Sequence, residues 1–569
     1  MCRHYGGGVA MAANTYDAIV IGSGMSGGWA AKELTEKGMQ TLVLEAGRSI
    51  VPEVDYVEHV PPWGVKFRGL RDRKAESINR PIQSQIGDEW NAKFFVDDKE
   101  NPYTTDSDKP YLFLRGRHVG GRSVMWGRQT YRLSDLDFEA NLKEGLGVDW
   151  PIRYKDIEPW YNYVEDFIGV SGQAEGLPHL PDSKFLPPME MNCAELAVKE
   201  AIAGKFPDGR MMTIGRVAIL TESHRGRAAC HYCGPCQRGC ITRSYFSSVN
   251  STLPAAQETG KLTLRPFSVV HSLIFDSKTR KITGVRVIDG QTREAMEFHA
   301  RIVFLCASTL ESARILLNST TPEFPNGLAN SSGELGHNLM DHIFKGGATG
   351  TIPGHEDHIQ MGNRPNGIYV PRFRNIKQKH PAFLRGYGFQ GGGHREGWER
   401  GSDMPGFGVD FKNMLKNPGP WRFNFTGFGE CLPNHDNHLE IDKNKVDAWG
   451  IPALKINCQW RPNELAIYKD MSVTAAEMLE AAGAKDIVAS TAQSLPGEGI
   501  HEMGSARMGR DPKTSVLNEH NQAHDVKNLF VTDGSCMVSS ACVNPSLTYM
   551  ALTARACDYA VGKMKRGEL

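Results

Sequence analysis

The segment Tyr16–Gly27, with the sequence Y-D-A-I-V-I-G-S-G-M-S-G, decides the fold class of this chain. Its first half is a short, almost wholly apolar run, which is the pattern of a parallel strand buried on both faces. Glycines with the spacing G-x-G-x-x-G follow, and helical spacing continues over Trp29–Lys37. Thr41–Glu45 is a second apolar strand. Together these segments predict a βαβ unit whose sheet is covered by helices on both faces.

Each glycine of this turn has a different physical role in a dinucleotide site. Gly22 allows the tight turn, Gly24 lets the backbone approach a pyrophosphate, and Gly27 allows the helix to pack closely on the strand. Met25 and Ser26 begin the helix, whose N-terminal N–H groups are free to bind phosphate oxygens. The segment therefore predicts a dinucleotide cofactor.

Glu45 indicates which dinucleotide this is. It ends the second strand, 23 positions after Gly22, where a carboxylate accepts a hydrogen bond from a ribose hydroxyl. The same negative charge would repel the additional phosphate of NADP. Ala46 and Gly47 follow, and the sequence Glu-Ala-Gly favours FAD over NAD.

Composition and charge exclude several other classes of protein. The chain has 569 residues, so we expect at least two domains. Its 65 Lys+Arg and 65 Asp+Glu give a formal net charge of zero, which argues against binding to nucleic acid or to an anionic membrane through overall charge. The mean hydropathy is −0.39, and we predict no transmembrane helix because no long apolar run is present. Met1–Ala13 contains no recognisable secretory signal.

Apolar periodicity predicts further elements along the chain. They are strands over Leu262–Phe275, Lys281–Asp289 and Ala300–Ala307, a sheet region over Trp421–Ile441, and helices over Tyr154–Phe167, Thr309–Leu317 and Asn463–Ala482. Within the first of these helices, Pro159 marks an interruption or a second start.

The arrangement of these elements predicts an α/β protein, α+β overall. We expect a Rossmann-like FAD-binding domain that is discontinuous in sequence, with an inserted substrate-binding domain built on a mainly antiparallel β-sheet plus helices. The predicted ranges are 14–150, 225–345 and 495–563 for the FAD-binding domain, 151–224 and 346–494 for the substrate-binding domain, and 1–13 for a loose N-terminal tail.

Six further motifs follow the dinucleotide turn in a fixed order. They are G-G-R-S-V-M-W-G at 120–127, W-P-I at 150–152, G-H-N-L-M-D-H at 336–342, H-E-M-G-S-A-R-M-G at 501–509, N-L-F-V-T-D-G-S at 528–535 and N-P-S-L-T at 544–548. Over about Tyr16–Lys563 this order resembles the glucose–methanol–choline (GMC) flavin oxidoreductases. Within that family the chain is most similar to pyranose oxidase, glucoside 3-dehydrogenases and the FAD-dependent catalytic subunits of bacterial sugar dehydrogenases.

The resemblance implies where FAD is held. The segment containing Gly120, Gly121, Ser123 and Met125 would pass along the isoalloxazine, Val270 would lie near the adenine, and Asp533 and Gly534 near the pyrophosphate and ribityl chain. Pyranose oxidase carries a flavin-linked histidine in this loop, and Met125 stands in its place here. Because a thioether cannot form that linkage, we expect non-covalent FAD.

The same resemblance implies the chemical centre. Hydride transfer from an alcohol also requires removal of the hydroxyl proton, and a neutral imidazole is the usual base. The family places this role on a histidine that corresponds to His501. Asn544, before Pro545, would hold the substrate oxygen by donating a hydrogen bond, and would also contact the cofactor.

Four of the twelve cysteines lie within eleven residues, at Cys230, Cys233, Cys236 and Cys240. The spacing C-x2-C-x2-C-x3-C matches the bacterial ferredoxin run, and we expect an iron–sulfur cluster. Three of the four resemble the ligands of the [3Fe–4S] cluster in bacterial glucose dehydrogenase subunits, and Cys233 would be a fourth ligand of a [4Fe–4S] cluster or a bystander. A structural zinc site, disulfides and free thiols remain alternatives.

These features predict a dehydrogenase that oxidises a ring hydroxyl of a glucoside or related sugar, at C3 in the favoured version, with the hydride passing to flavin N5. Electrons would leave through the cysteine centre to a cytochrome or another carrier. An oxygen-reducing sugar oxidase, and an electron-transfer subunit without its own substrate site, are the alternatives. Related dehydrogenases work beside a small chaperone-like subunit that carries the export signal. We therefore expect a cytoplasmic protein, or a periplasmic one if such a partner exports it.

Overall fold

The computed structural model describes residues 14–61, 64, 72–86 and 90–569. The predicted tail at residues 1–13 lies outside these ranges. The strands assigned within them are β1 Thr15–Ile21, β2 Thr41–Leu44, β3 Thr104–Thr105, β4 Thr213–Ile214, β5 Leu262–Arg265, β6 Ser268–Asp276, β7 Lys281–Asp289, β8 Ala295–Leu305, β9 Ile343–Ile352, β10 Ile368–Val370, β11 Tyr387–Arg395, β12 Trp421–Gly429, β13 His438–Val446, β14 Pro452–Asn457, β15 Lys485–Ala489 and β16 Leu529–Val531.

The α-helices assigned in the same ranges vary from one turn to more than five. They are α1 Met25–Glu36, α2 Pro52–Asp55, α3 Arg73–Asn79, α4 Asp135–Phe138, α5 Ala140–Glu144, α6 Tyr154–Ile168, α7 Cys193–Lys205, α8 Thr252–Glu258, α9 Thr309–Asn318, α10 Gly408–Lys416, α11 Pro462–Ala481 and α12 Ser546–Lys565. None of these helices combines the length and the apolar character that crossing a bilayer requires.

The first sheet confirms the predicted Rossmann-like arrangement. Its parallel part has the order β5-β2-β1-β8-β16, and the hairpin β6-β7 pairs antiparallel with the first half of β8. The helix α1 packs against α8 and α12 and is almost wholly buried. The carboxyl ends of β1, β2, β8 and β16 meet at one edge, which is where ligands bind in open α/β sheets.

The second sheet is antiparallel, in the order β15-β9-β12-β11-β10-β4, as the fold prediction requires. Along β12 buried and half-buried residues alternate strictly, because successive side chains point to opposite faces. The buried set, Trp421, Phe423 and Phe425, packs in one cluster with Ile467 and Met471 of α11. From this sheet, Phe344 of β9 lines the cavity described below.

Two predicted strand regions divide differently from the expectation. Trp421–Ile441 supplies β12 to the second sheet but β13 to a separate sheet with the order β13-β14-β3. Leu262–Phe275 forms β5 and then β6, which pair with different neighbours. Pro266 lacks the N–H that a strand ladder needs, and Phe267 has a φ of 51°. The strand is therefore interrupted between β5 and β6.

The helix α6 runs without a break through Pro159, whereas an interruption or a second start was expected. A proline removes one backbone hydrogen bond from a helix interior. Here the face formed by Ile157, Tyr161, Val164 and Ile168 is buried, and α6 packs against α12. Tertiary packing therefore maintains the helix across the proline.

Candidate active site

A cavity of about 490 Å³ lies between the carboxyl edge of the first sheet and the second sheet. Most of the residues predicted to hold the cofactor line it. These residues are Gly22, Gly24, Met25, Ser26, Glu45, Ala46, Gly121, Ser123, Met125, Val270, Asp533, Gly534 and Asn544. The predicted residues Gly27 and Gly120 lie behind this lining.

The three glycines of the first turn meet different surroundings. Gly22 has a φ of +93°, and a Cβ there would lie 2.4 Å from the carbonyl oxygen of Cys306. A Cβ on Gly27 would lie 1.9 Å from the carbonyl oxygen of Gly22. A Cβ on Gly24 would meet no atom closer than 3.9 Å, so its face is open to the cavity. Among these three glycines, Gly24 alone leaves room for a phosphate group to approach the backbone.

Glu45 is held at the end of β2 by the turn itself. Its Oε2 accepts a hydrogen bond of 2.6 Å from the Ser23 hydroxyl, and its Oε1 accepts one of 2.9 Å from the Gly47 N–H. The Ser23 hydroxyl oxygen also accepts a bond of 2.9 Å from the Gly120 N–H, which joins the two glycine-rich segments. Burial raises the pKa of Glu45 above its usual value, and the carboxyl faces the cavity.

Asp533 follows β16 and is buried among donors from its own domain. Its oxygens accept bonds of 3.0 Å from the N–H groups of Ser308 and Ser535, and burial raises its pKa. At Gly534 a Cβ would lie 2.4 Å from the carbonyl oxygen of Glu502. The Asp533 carboxyl group therefore fixes a tight backbone turn in the cavity wall. Its oxygens are already hydrogen-bonded to N–H groups of the protein.

His501 lies in the cavity wall at the junction of the two sheets. Its Nδ1 is 2.9 Å from Nδ1 of His342, and its Nε2 is 3.4 Å from Nδ2 of Asn544. The Phe428 ring, on the half-buried face of β12, lies 5.8 Å from the His501 ring. Oδ1 of Asn544 accepts a bond of 2.5 Å from Nε2 of Gln390 on β11. We call these four polar residues, His342, Gln390, His501 and Asn544, the histidine corner.

The hydrogen bonds of His342 define its tautomer. Its Nε2 lies 3.2 and 3.0 Å from the carbonyl oxygens of Ser540 and Ala541, which only accept hydrogen bonds, so Nε2 carries a proton. His342 is fully buried, and burial lowers its pKa to about 4, so the ring is neutral near pH 7. Its Nδ1 is then an acceptor.

This acceptor in turn defines the tautomer of His501. The proton between the two Nδ1 atoms belongs to His501, which leaves a lone pair on its Nε2, beside Asn544. Burial, followed by the nearby His342 and Arg122, lowers the pKa of His501 well below its ordinary value. The arrangement gives a neutral imidazole with its basic nitrogen next to an amide donor.

Asp341 fixes the backbone that carries His501. Its Oδ2 accepts bonds of 2.9 and 3.0 Å from the N–H groups of Gly497 and Gly499, and its Oδ1 accepts one of 2.9 Å from the His501 N–H. The Oδ1 atom also accepts a bond of 2.8 Å from the His342 N–H. One buried carboxyl group thus ties both histidines to the same loop.

Sequence reasoning missed three members of this arrangement. His342 and Asp341 are consecutive residues at the end of the motif G-H-N-L-M-D-H. A carboxyl group directly before a histidine in this motif was the only sequence signal that they belong to the site. Gln390 carries no motif, and its contact with Asn544 joins two segments that are 154 positions apart in sequence.

The four clustered cysteines lie close to the segment 120–127. All are free and partly buried, and Cys230, Cys236 and Cys240 pack against a cluster that contains Tyr245. The Tyr245 hydroxyl donates a bond of 2.7 Å to the carbonyl oxygen of Val124. Gln237, inside the cysteine run, lines the cavity. Although the structure describes the whole run, it brings no three of these sulfurs within 4.8 Å of one another.

Several curated proteins are similar to this chain over nearly its whole length. A 2-methyl-1,2-propanediol dehydrogenase of Mycolicibacterium austroafricanum is 28% identical, covering 96% of this chain and 95% of that protein. A fructose dehydrogenase large subunit of Gluconobacter japonicus is 25% identical, covering 97% and 98%. A gluconate 2-dehydrogenase flavoprotein of Pantoea cypripedii is 25% identical, covering 94% and 92%.

Solved structures share the fold. A formate oxidase of Aspergillus oryzae superimposes with a TM-score of 0.62 at 14% identity, covering 98% of this chain and 100% of that one. A pyridoxine 4-oxidase of Mesorbium loti gives 0.57 at 16% identity, covering 95% and 98%. Residues 5–344 and 433–553 match the family described as GMC oxidoreductase. The chain therefore belongs to the GMC oxidoreductases, FAD-dependent enzymes that oxidise CH–OH donors.

Proposed function

We propose that this enzyme is a dehydrogenase that oxidises a ring hydroxyl, at C3, of a glucoside or related sugar to a ketone. The observation that carries the proposal is the histidine corner. It presents a neutral base and an amide donor about 3.4 Å apart in the wall of the dinucleotide cavity. That pair suits an alcohol, because one group accepts the hydroxyl proton while the other stabilises the developing negative charge on oxygen.

The described residues fit FAD. The open face of Gly24 accepts a pyrophosphate, and Glu45 lies at the end of β2 for a ribose hydroxyl. Met125 in the cavity wall offers no nitrogen for a flavin linkage, which supports non-covalent binding. Bound FAD would supply the hydride acceptor at N5.

The residues of the chain handle the proton. His501 Nε2 would take it from the substrate hydroxyl, and the Asn544 amide would donate a hydrogen bond to the same oxygen. Gln390 holds the Asn544 carbonyl oxygen, so that the NH₂ group faces His501 and the substrate. His342 keeps the proton of His501 on Nδ1. The imidazolium that forms would be stabilised by the bond to His342 Nδ1.

The names of similar proteins support a polyhydroxy substrate. They include a fructose dehydrogenase, a gluconate dehydrogenase and a diol dehydrogenase. In this chain the cavity wall adds Gln129 and Trp126 to the histidine corner, which is the mixture of polar and aromatic groups that sugar hydroxyls and ring faces require. We assign C3 because of the sequence resemblance to glucoside 3-dehydrogenases.

We propose further that Cys230, Cys233, Cys236 and Cys240 hold an iron–sulfur cluster, [3Fe–4S] or [4Fe–4S]. The spacing C-x2-C-x2-C-x3-C supports this proposal, because it matches the bacterial ferredoxin run. The contact from Tyr245 to Val124 joins this loop to the segment 120–127, which would pass along the isoalloxazine. Bound there, the cluster would carry electrons towards a cytochrome in a complex that also contains a small subunit.

An anaerobic titration of the purified enzyme with methyl glucosides tests both proposals. We expect the flavin absorbance to bleach, iron to be present, and an EPR signal of the cluster to change on reduction. Bleaching of a sample that contains no iron, followed by rapid reoxidation of the flavin in air, would show that the enzyme is an oxidase rather than a dehydrogenase. The absence of bleaching with every sugar tested would overturn the substrate class.

A matched pair of variants separates the cluster from the chemistry. Cys236→Ser should retain flavin reduction by sugar but slow electron transfer to a cytochrome by about tenfold or more, because the cluster lies after the flavin. The control His231→Asn changes an exposed residue of the same loop and should alter neither rate. An equal loss of both steps in Cys236→Ser would make the cysteines structural.

A further inference from the structure

A second group of metal-binding side chains lies at the other end of the antiparallel sheet. Cys193 is the first residue of α7, and His355 and His358 lie in the loop that follows β9. The histidine corner adjoins the beginning of β9, and a ten-residue strand spans about 30 Å. The group is therefore distant from the cavity, and neither the proposed chemistry nor the cysteine run uses it.

The three side chains bring their ligand atoms together. The Cys193 sulfur and one ring nitrogen from each histidine all lie within 4.8 Å of one another. One thiolate and two imidazoles are zinc ligands, with distances to the metal of about 2.3 Å for sulfur and about 2.0 Å for nitrogen. Ligand atoms around tetrahedral zinc are about 3.3–3.6 Å apart by the same geometry. A contraction of about 1 Å, within the reach of side-chain rotation, would complete the site.

The histidine loop is held in place by hydrogen bonds from two side chains, Arg395 and Trp421. Arg395, which ends β11, donates from Nη1 to the carbonyl oxygens of His355 at 3.0 Å and His358 at 2.7 Å, and from Nη2 to that of Glu356 at 2.9 Å. The Trp421 indole N–H donates a bond of 2.8 Å to the same His355 oxygen. The loop backbone is thus fixed before any metal binds, so little ordering entropy opposes binding.

The cysteine is fixed from the opposite side. Asn192 caps α7 and donates from Nδ2 to the carbonyl oxygen of Gly393 at 2.7 Å. Cys193 therefore occupies the first turn of a thirteen-residue helix. The cysteine and the two histidines come from separate elements that both pack against β11.

The surroundings of His358 match those of a metal ligand. Its Nδ1 lies 2.9 Å from Oδ1 of Asp357, so the proton on Nδ1 is donated to a carboxylate and the lone pair remains on Nε2. Histidines that bind metals commonly make this bond from the nitrogen that does not bind. His358 is exposed, which leaves a fourth position open to water.

We propose that Cys193, His355 and His358 form a zinc site that ties the loop after β9 to the beginning of α7. Zinc would bind one thiolate, two imidazoles and a water molecule. Because the metal would bind the folded state and cross-link two of its elements, it should stabilise that state increasingly as the free zinc concentration exceeds the dissociation constant. Its role would be structural, and flavin reduction would not depend on it.

Zinc analysis tests the site when the cysteine run is first removed as a competitor. In the Cys230→Ser/Cys236→Ser background we expect one zinc per chain to remain after dialysis against a weak chelator. Adding Cys193→Ser or His358→Asn should remove it, whereas the control His394→Asn, an exposed histidine of the neighbouring β11, should leave it bound. Equal zinc contents in the Cys193→Ser variant and its parent would overturn the proposal.

Cobalt provides a readout that does not depend on zinc acquired during expression. Co²⁺ added to the metal-free parent should give a thiolate-to-cobalt absorption band that is absent from Cys193→Ser, measured as a difference against the flavin spectrum. A strong chelator should lower the Tm of the zinc-loaded parent but not of Cys193→Ser. An identical band in both proteins would place the cobalt elsewhere and contradict the assignment. The FAD content of every variant checks that it is folded.

Discussion

The dinucleotide turn lines the cavity, and the histidine corner reaches the same cavity through His501 and Asn544. The two regions are built in opposite ways. In the turn, contiguous residues leave backbone exposed, and glycines are required because side chains would fill the space. In the corner, side chains separated by 43 to 159 positions in sequence meet through hydrogen bonds. The turn is therefore sensitive to added atoms, whereas the corner is sensitive to lost polar groups.

This difference separates binding from chemistry. Changes in the turn should affect how much FAD is bound, and changes in the corner should affect how fast bound FAD is reduced. Variants of the two regions thus need two measurements each, the FAD content and the rate constant of anaerobic flavin reduction. Four sets of variants are described here in order of the expected effect.

His501→Ala should have the largest effect on the rate. Loss of the general base costs about 10²–10⁴-fold, which corresponds to about 3–5 kcal/mol of activation free energy. Stopped-flow measurement of flavin reduction by sugar checks this value, and the FAD content should stay near that of the parent. A near-normal reduction rate would remove His501 from the mechanism.

His342→Leu should slow flavin reduction by about 10²-fold, because the wrong tautomer of a catalytic histidine is strongly deleterious. His342→Gln is the matched variant, since its amide oxygen can accept from His501 Nδ1 while its NH₂ donates to the carbonyl oxygens of Ser540 and Ala541. We expect Gln to restore most of the rate that Leu loses. Equal rates in the two variants would show that His342 acts only through packing.

Alanine substitutions at two glycines should separate the functions within the turn. Gly24→Ala meets open space, so the protein should fold but bind FAD about tenfold more weakly, about 1.4 kcal/mol. Gly27→Ala places its Cβ against a backbone oxygen and should lower the Tm of the apoprotein. FAD titration and thermal unfolding check the pair. The same Tm loss in both variants would contradict the division of roles.

Gln390→Leu should have the smallest effect. The Asn544 amide would lose the partner that orients it, and one neutral hydrogen bond contributes about 1 kcal/mol. We expect about a fivefold slower flavin reduction with unchanged FAD content, measured in the same stopped-flow assay. An effect as large as that of His501→Ala would mean that Gln390 contacts the reacting oxygen itself.

The fold could be predicted from sequence where its signals are local. β1, the turn and α1 follow from one run of residues, and β7 coincides with the predicted strand Lys281–Asp289. The strand character of Trp421–Ile441 was predicted correctly, but its division between two sheets could not be predicted, because pairing between distant strands decides it. Alternation describes the faces of a strand but not which sheet it joins.

In the candidate site, too, the residues with local sequence signals could be predicted and the long-range contacts could not. Residues near Gly22 and Glu45 could be predicted because strand, turn and helix are contiguous, and the motifs supplied His501 and Asn544. The tautomer of His501 could not be predicted, since it depends on His342 and on the carbonyl oxygens of Ser540 and Ala541. A relay of hydrogen bonds between distant segments leaves no periodic pattern in the sequence.

The pH dependence of flavin reduction at low sugar concentration tests the central claim most directly, because it reports the ionisation of the base in the free enzyme. Burial lowers the pKa of His501 well below 6.5, so its basic form persists as the solution is acidified through that value. We predict that the rate remains level from pH 8 through pH 6.5 and falls only well below it, with a slope of one proton. A fall that begins at or above pH 6.5 would contradict the assignment of a neutral, buried His501 as the base.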